Sequence, residues 1–221
     1  MPGSFRNFLD GLHATCACAY DSNPTITNCT ISNNSGSNDG GGIACFEGSD
    51  ADITDSFITG NTASAHDGGG IYCYSSNPTL IDCIMQGNAA HRNGGGLWCN
   101  NNTNASLTSC TFETNTASSI VDGGGGIAIL DSSATLTNCT FSDNASNGPQ
   151  GEGGGLWSSG SIITLDGCEF AGNTAANDDG GGIYAIGGTA DIANCIATGN
   201  LSAWGGALFI GGGCDAIINS S

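Results

Sequence analysis

GGGGIAILDSSATLTNCTFSDN, residues Gly123–Asn144, contains every recurring feature of the chain. A glycine cluster opens it, an aliphatic strand follows, then Leu136-Thr137, an Asn138-Cys139 step, Phe141 and a closing Asn144. Glycine clusters run into an aliphatic residue seven times, at Gly40–Ile43, Gly68–Ile71, Gly94–Leu97, Gly123–Ile127, Gly153–Leu156, Gly180–Ile183 and Gly205–Leu208, with intervals of 28, 26, 30, 29, 27 and 25. The second half recurs in phase, as ITNCTISNN (Ile26–Asn34), ITDSFITGN (Ile53–Asn61), LIDCIMQGN (Leu80–Asn88), LTSCTFETN (Leu107–Asn115), LDGCEFAGN (Leu165–Asn173) and IANCIATGN (Ile192–Asn200). Two motifs in phase at this period identify the coils of a solenoid. Helical coils are excluded by the absence of a 3.6-residue apolar spacing and by the abundance of glycine and β-branched residues.

Within a coil the residue types locate the turns. Leu136, Cys139 and Phe141 cannot share one face of an unbroken strand, because side chains alternate with period two. One extra residue sits in a bend before the cysteine, at Asn28, Asp55, Asp82, Ser109, Asn138, Gly167, Asn194 and Asn219. Asn, Asp and Gly tolerate a left-handed backbone, which a sharp corner requires. Each coil is therefore predicted to hold three short strands, Gly-Ile-x-Cys, Leu-Thr and Cys-x-Phe, with a polar loop leading to the next glycine cluster. Parallel in-register stacking brings Asn34, Asn61, Asn88, Asn115, Asn144, Asn173 and Asn200 into one structural amide ladder.

The paired GGGI and Cys-x-Phe-x-x-Asn motifs resemble those of right-handed parallel β-helix repeat proteins of bacterial surfaces, the pectate-lyase-like superfamily and polymorphic outer-membrane-protein repeats. The resemblance covers about Ala19 to Ser221. It implies an all-β fold, a single right-handed parallel β-helix of about seven to eight coils, and an extracellular or cell-surface setting. Enzymes, adhesins and inert stalks share the fold, so it implies little about chemistry. Residues 1–18 are expected to be an N-terminal cap or leader, with Phe5, Phe8, Leu9 and Leu12 over the first coil, and 19–221 the β-helix.

Charge narrows the partners. Two cationic side chains, Arg6 and Arg92, stand against 20 acidic ones, a formal charge of −18. Nucleic acid and anionic lipid are excluded by repulsion. No apolar run reaches membrane-spanning length, and Met1–Tyr20 lacks the basic start and apolar centre of a secretion signal. Self-association or carbohydrate binding remains. Most of the 12 cysteines fall in two columns, Cys29, Cys83, Cys110, Cys139, Cys168 and Cys195, and Cys45, Cys73 and Cys99. Ser56 substitutes in the first, so the slot is read as a compact interior position filled by free thiols, with disulfides between neighbouring coils as the alternative.

Catalytic groups are scarce. His66, Asp67, His91 and Arg92 come together on adjacent coils, but their loop setting reads as solvated polar residues. No catalytic residue is assigned and no cofactor is required. Acidic or amide residues precede the glycines at Asp39, Asp67, Asn93, Asp122, Glu152 and Asp179. If they stack, calcium is the candidate ion to bridge Asp39, Asp67, Asp122, Glu152 and Asp179. Alternation on the first strand turns Tyr72, Tyr74, Trp98, Trp157, Tyr184 and Phe209 outward, an aromatic column interrupted by Ala44 and Ala128 and expected to be a binding or assembly interface. The leading functional class is thus a non-catalytic surface protein in adhesion or self-assembly, through that face and the solenoid ends. The alternative is a polysaccharide lyase or glycoside hydrolase. A third class, ice binding, needs regular Thr ladders, which Thr108/Thr137 and Thr111/Thr140 begin and Asp166 and Glu169 end.

Overall fold

The computed structural model describes residues 17–118 and 122–220. Every regular element among them is a β-strand, and the strands pair in parallel from coil to coil. The expected strands are all present. One ladder joins Ile43, Ile71, Leu97, Ile127, Leu156, Ile183 and Leu208 in register. A second joins Ile26, Ile53, Leu80, Leu107, Leu136, Leu165, Ile192 and Ile218. These two ladders fuse into one 14-stranded sheet because Leu156–Asp166 and Ile183–Ala193 run unbroken through the bend that separates them elsewhere. The Cys-x-Phe segments form a 7-stranded sheet from Thr30–Ser32 to Ile196–Thr198.

A further strand of two residues follows the asparagine in six coils, from Ser35–Gly36 to Thr174–Ala175, where the sequence suggested only a polar loop. Two residues are too few for period-two alternation to be seen in sequence. At the N-terminus, Ala17–Tyr20 already pairs with Ile43–Phe46, so the ladder starts ahead of the expected boundary at 19. The cap assigned to the residues before it lies outside the described part of the chain.

The corner before each cysteine adopts the left-handed backbone expected, with φ of 52° at Asn28, 49° at Asp55, 52° at Asp82, 53° at Ser109 and Asn138, 65° at Gly167 and 54° at Asn194. Asn219, predicted to complete the set, instead sits inside the strand Asp215–Asn219. A second left-handed corner directly precedes each ladder asparagine, at Asn33, Gly60, Gly87, Thr114, Asp143, Gly172 and Gly199.

The glycine clusters are explained by the ladder they face. Gly68 turns the chain at φ +67°, and a Cβ on Gly69 would lie 2.4 Å from the Ala89 carbonyl carbon. A Cβ on Gly70 would stand 2.5 Å from the Gly96 oxygen and 3.1 Å from the Asn88 side chain. No residue with a side chain fits beside the amide column, so the two sequence motifs keep phase because they are in contact. Inside, Ile31, Ile58, Met85, Phe112, Phe141 and Phe170 are buried with the Leu, Ile and Cys columns in one continuous core. The phenyl rings stack at 5.0 Å between Phe112 and Phe141 and at 4.5 Å between Phe141 and Phe170.

Candidate functional site

The asparagine column is a complete hydrogen-bonded rod. Each Oδ1 accepts from the backbone N and the Nδ2 of the preceding asparagine, at 2.9–3.0 Å from Asn34 to Asn200. The remaining amide hydrogen goes to a carbonyl of the preceding coil, such as Met85 for Asn115 and Phe112 for Asn144. From Asn61 to Asn173 every side-chain polar atom is paired, which is what permits such burial.

A second polar rod was not anticipated. Ser49, Ser76, Thr103, Ser132 and Ser161 stack at the corner between the first two strands, each backbone N donating to the next hydroxyl at 3.2–3.4 Å. Each lies four residues before the aliphatic residue of the second strand, a constant offset that would have revealed it. The cysteine column works in the same way. Cys83 Sγ donates to the Ile81 and Ile53 carbonyls at 3.3 Å, and Ser56 Oγ to the Thr54 carbonyl at 2.8 Å. The slot therefore selects a small side chain that can donate, which is why serine replaces cysteine there. The described cysteines, Cys29 to Cys214, carry no disulfide.

The aromatic column lies on the outer side of the sheet, as alternation requires, but it is not open to solvent. Tyr72, Trp98, Trp157 and Tyr184 form a second hydrophobic cluster with Ala44 and Ala128, and Trp98 and Trp157 are only 3% and 2% exposed. Tyr74 and Phe209 are half-buried beside them, with Phe46, Leu130 and Ile186. The glycine turn folds the preceding loop back over these rings, so that a Cβ on Gly68 would lie 2.8 Å from the Tyr72 Cβ. Ala128 is no gap, since Trp98 and Trp157 lean across it to stack at 6.3 Å. The expectation of an open aromatic face is thereby corrected: alternation assigns a side of the sheet, while the loop's path decides exposure.

The acidic residues close this seam. Glu152 Oε2 accepts from Trp157 Nε1 at 3.0 Å. Asp39 Oδ1 accepts from the Asp67 backbone N at 3.2 Å, and Asp67 Oδ1 from the Asn93 backbone N at 2.9 Å. Burial pushes the carboxyls of Asp67, Asp122, Glu152 and Asp179 above their ordinary range. Hydrogen bonds from Trp157 and Tyr184 partly offset this at Glu152. Asp122 is out of step: Gly123 precedes the turning glycine, Gly124, in its coil, where Asp67, Glu152 and Asp179 directly precede theirs. Among the described residues, no three carboxylate, histidine or cysteine side chains converge as metal ligands. Asp39, Asp67, Asp122, Glu152 and Asp179 are thus spread along an edge, with hydrogen-bonding tasks of their own at Asp39, Asp67 and Glu152.

His66 Nδ1 approaches Asp39 Oδ1 at 3.6 Å, and the charges of Arg92 and His66 lower the Asp67 carboxyl against its burial. The grouping expected on adjacent coils therefore forms in part. Trp98 Nε1 and Asn93 Oδ1 are both buried and unpartnered among the described residues. Asn93 stands five residues before Trp98, as Glu152 does before Trp157, but its side chain is one methylene shorter.

Ile218, in line with Ile192 and Leu165, is 61% exposed, and Trp204 is 72% exposed. Ile196, Leu201 and Ile217 are exposed around them.

A solenoid of parallel, in-register coils with stacked asparagine, phenyl and aliphatic columns defines a parallel β-helix. The family described as "Right handed beta helix region" matches residues 5–170, and the chain belongs to that family. No curated protein and no solved structure matches it. The family match begins inside the segment expected to be a cap.

Proposed function

We propose that the protein is a non-catalytic extracellular structural protein acting in adhesion or self-assembly. The observation that carries this reading is that the buried polar side chains are engaged in continuous internal ladders, from Asn34 to Asn200 and from Ser49 to Ser161, an arrangement that serves a rigid scaffold. The aromatic column, closed by its loops, supports this function as a stiffening seam and not as a sugar-binding platform.

Sedimentation velocity across a concentration series tests the proposal. Association is expected for the wild type, with circular dichroism unchanged along the series. A monomer at every concentration overturns self-association. Turnover of pectin or alginate, abolished by Arg92→Ala, would overturn the non-catalytic reading in favour of a polysaccharide lyase or hydrolase.

A further inference from the structure

The corner before each cysteine sets a row of thiols just beneath the surface of the solenoid, and the fold makes no use of their redox chemistry. Cys83, Cys110, Cys139, Cys168 and Cys195 occupy one position in successive coils, since the residues that follow them, Ile84, Thr111, Thr140, Glu169 and Ile196, pair in register. The backbone shows the same stacking: Thr111, Thr140, Glu169 and Ile196 each donate an N–H to the carbonyl of the preceding cysteine in the column, at 2.9 Å. Cys29 stands apart, because Ser56 fills the slot between it and Cys83, and the Ser56 hydroxyl accepts from the Cys29 backbone N at 3.1 Å.

Register fixes which of these residues can be joined. Paired strands lie about 4.8 Å apart, so adjacent cysteines fall within the Cα separation of about 4.4–6.8 Å that a disulfide spans, while a pair one slot further apart, at about 9.6 Å, does not. Neighbours from Cys83 to Cys195 therefore qualify, and Cys29 with Cys83 does not. Cys83, Cys110, Cys139 and Cys168 are at most 1% exposed, yet each directly follows an exposed corner residue, Asp82, Ser109, Asn138 or Gly167. Opening one such turn uncovers a thiol. Cys45, Cys73 and Cys99 lie instead within strands that carry the aromatic seam on their outer side.

The thiols of the corner column are not equivalent. Cys139 has a thiol on either side, and hydrogen bonds from Cys110 and Cys168 lower its pKa against burial, while the same contacts raise Cys110 and Cys168 so that they keep their protons. Cys83 has only one thiol neighbour, Cys110, to lower it. We propose that this column is an oxidation site in which Cys139 is the attacking thiol and closes a disulfide to Cys110 or Cys168, stapling consecutive coils. The co-reactant is a small peroxide such as hydrogen peroxide. The Cys139 thiolate attacks a peroxide oxygen, the O–O bond breaks, and the departing hydroxide takes up the proton that Cys139 had lost, leaving water and a sulfenic acid at Cys139. The sulfur of Cys110 or Cys168 then attacks the Cys139 sulfur: the S–S bond forms, the S–O bond breaks, and the hydroxyl leaves with the thiol proton as a second water. Each sulfur is oxidised by one electron and the peroxide is reduced by two. Once Cys139 has paired with Cys168, Cys83 and Cys110 remain adjacent and Cys195 is left over; once it has paired with Cys110, Cys168 and Cys195 remain adjacent and Cys83 is left over.

The experiment treats the folded whole chain with hydrogen peroxide, alkylates the remaining thiols after denaturation, and maps the peptides by mass spectrometry. Cross-linked peptides that join Cys139 to Cys110 or Cys168 are expected first, with Cys29, Cys45, Cys73 and Cys99 recovered alkylated. Cys139→Ser, a residue the same column already accepts at Ser56, should keep the circular dichroism spectrum and slow the first cross-link by about tenfold or more, since the favoured thiolate is gone. Cys195→Ser, which takes a thiol from the column without touching Cys139, should leave that rate unchanged. Recovery of the whole column as thiols overturns the proposal, as does oxidation of Cys139 to a sulfinic acid with its neighbours still reduced. A first cross-link that forms in Cys139→Ser at the wild-type rate, or cross-links found only between molecules, also overturn it.

Discussion

Asn115 shows what a single side chain does in a stacked fold. Its Oδ1 accepts two hydrogen bonds from Asn88, and its Nδ2 donates to Asn144 Oδ1 and to the Met85 carbonyl. Asn115→Ala removes these at once and leaves buried partners unpaired, so it should cost roughly 1–3 kcal/mol or more, where unpaired groups dominate. Asn147→Ala, at an exposed loop position, should leave the melting temperature unchanged. Equal melting for the two variants would show that the rod is incidental. Thr114 presents the opposite case. It occupies the second corner at φ 53°, where its neighbours in the column include Gly87 and Asp143, and a β-branched residue is strained there. Thr114→Asn keeps a polar side chain and suits the left-handed backbone, and a gain of about 1 kcal/mol is expected in urea unfolding.

At the level of elements, the aromatic seam is held between a sheet and the loops that enter it. Trp157 is almost fully buried, and its indole N–H donates to Glu152. Trp157→Ser should therefore destabilise the fold by about 3–5 kcal/mol through the cavity it leaves. An outward, solvated tryptophan would cost almost nothing, so chemical denaturation separates the two readings cleanly. Glu152→Gln should cost much less, since an amide oxygen still accepts from the indole while the burial of a charge is relieved.

Over the whole molecule the acidic edge sets the pH dependence. Asp67, Asp122 and Glu152 have folded-state pKa values raised by burial above their ordinary 3.8, 3.8 and 4.5. Between the unfolded and the folded value the native state holds more protons than the unfolded chain, so stability rises as pH falls through that window. The gain is complete once the unfolded carboxyls are also protonated, and it is lost as pH rises through the folded values. Reducing a net charge of −18 acts in the same direction. The melting temperature should thus climb as pH is lowered from neutrality toward the ordinary carboxylate range. A steady fall over that range would mean that the carboxylates stabilise the seam as anions.

The sequence by itself determined the solenoid, the coil boundaries, the corner at Asn138 and its equivalents, and the asparagine ladder. Each is a local requirement repeated in every coil: a left-handed φ, a period-two face, an amide that only its own copy can satisfy. Ser49, Ser76, Thr103, Ser132 and Ser161 were equally legible at their constant offset. Tertiary structure alone decided whether the outer face of a strand meets water. Trp98 and Trp157 point away from the core as alternation demands, yet the loops turning at Gly94 and Gly153 lie back upon them, and no periodicity in the chain encodes that path. Repetition writes what happens along a coil into the sequence, whereas contact between a loop and the sheet beneath it depends on three-dimensional closure.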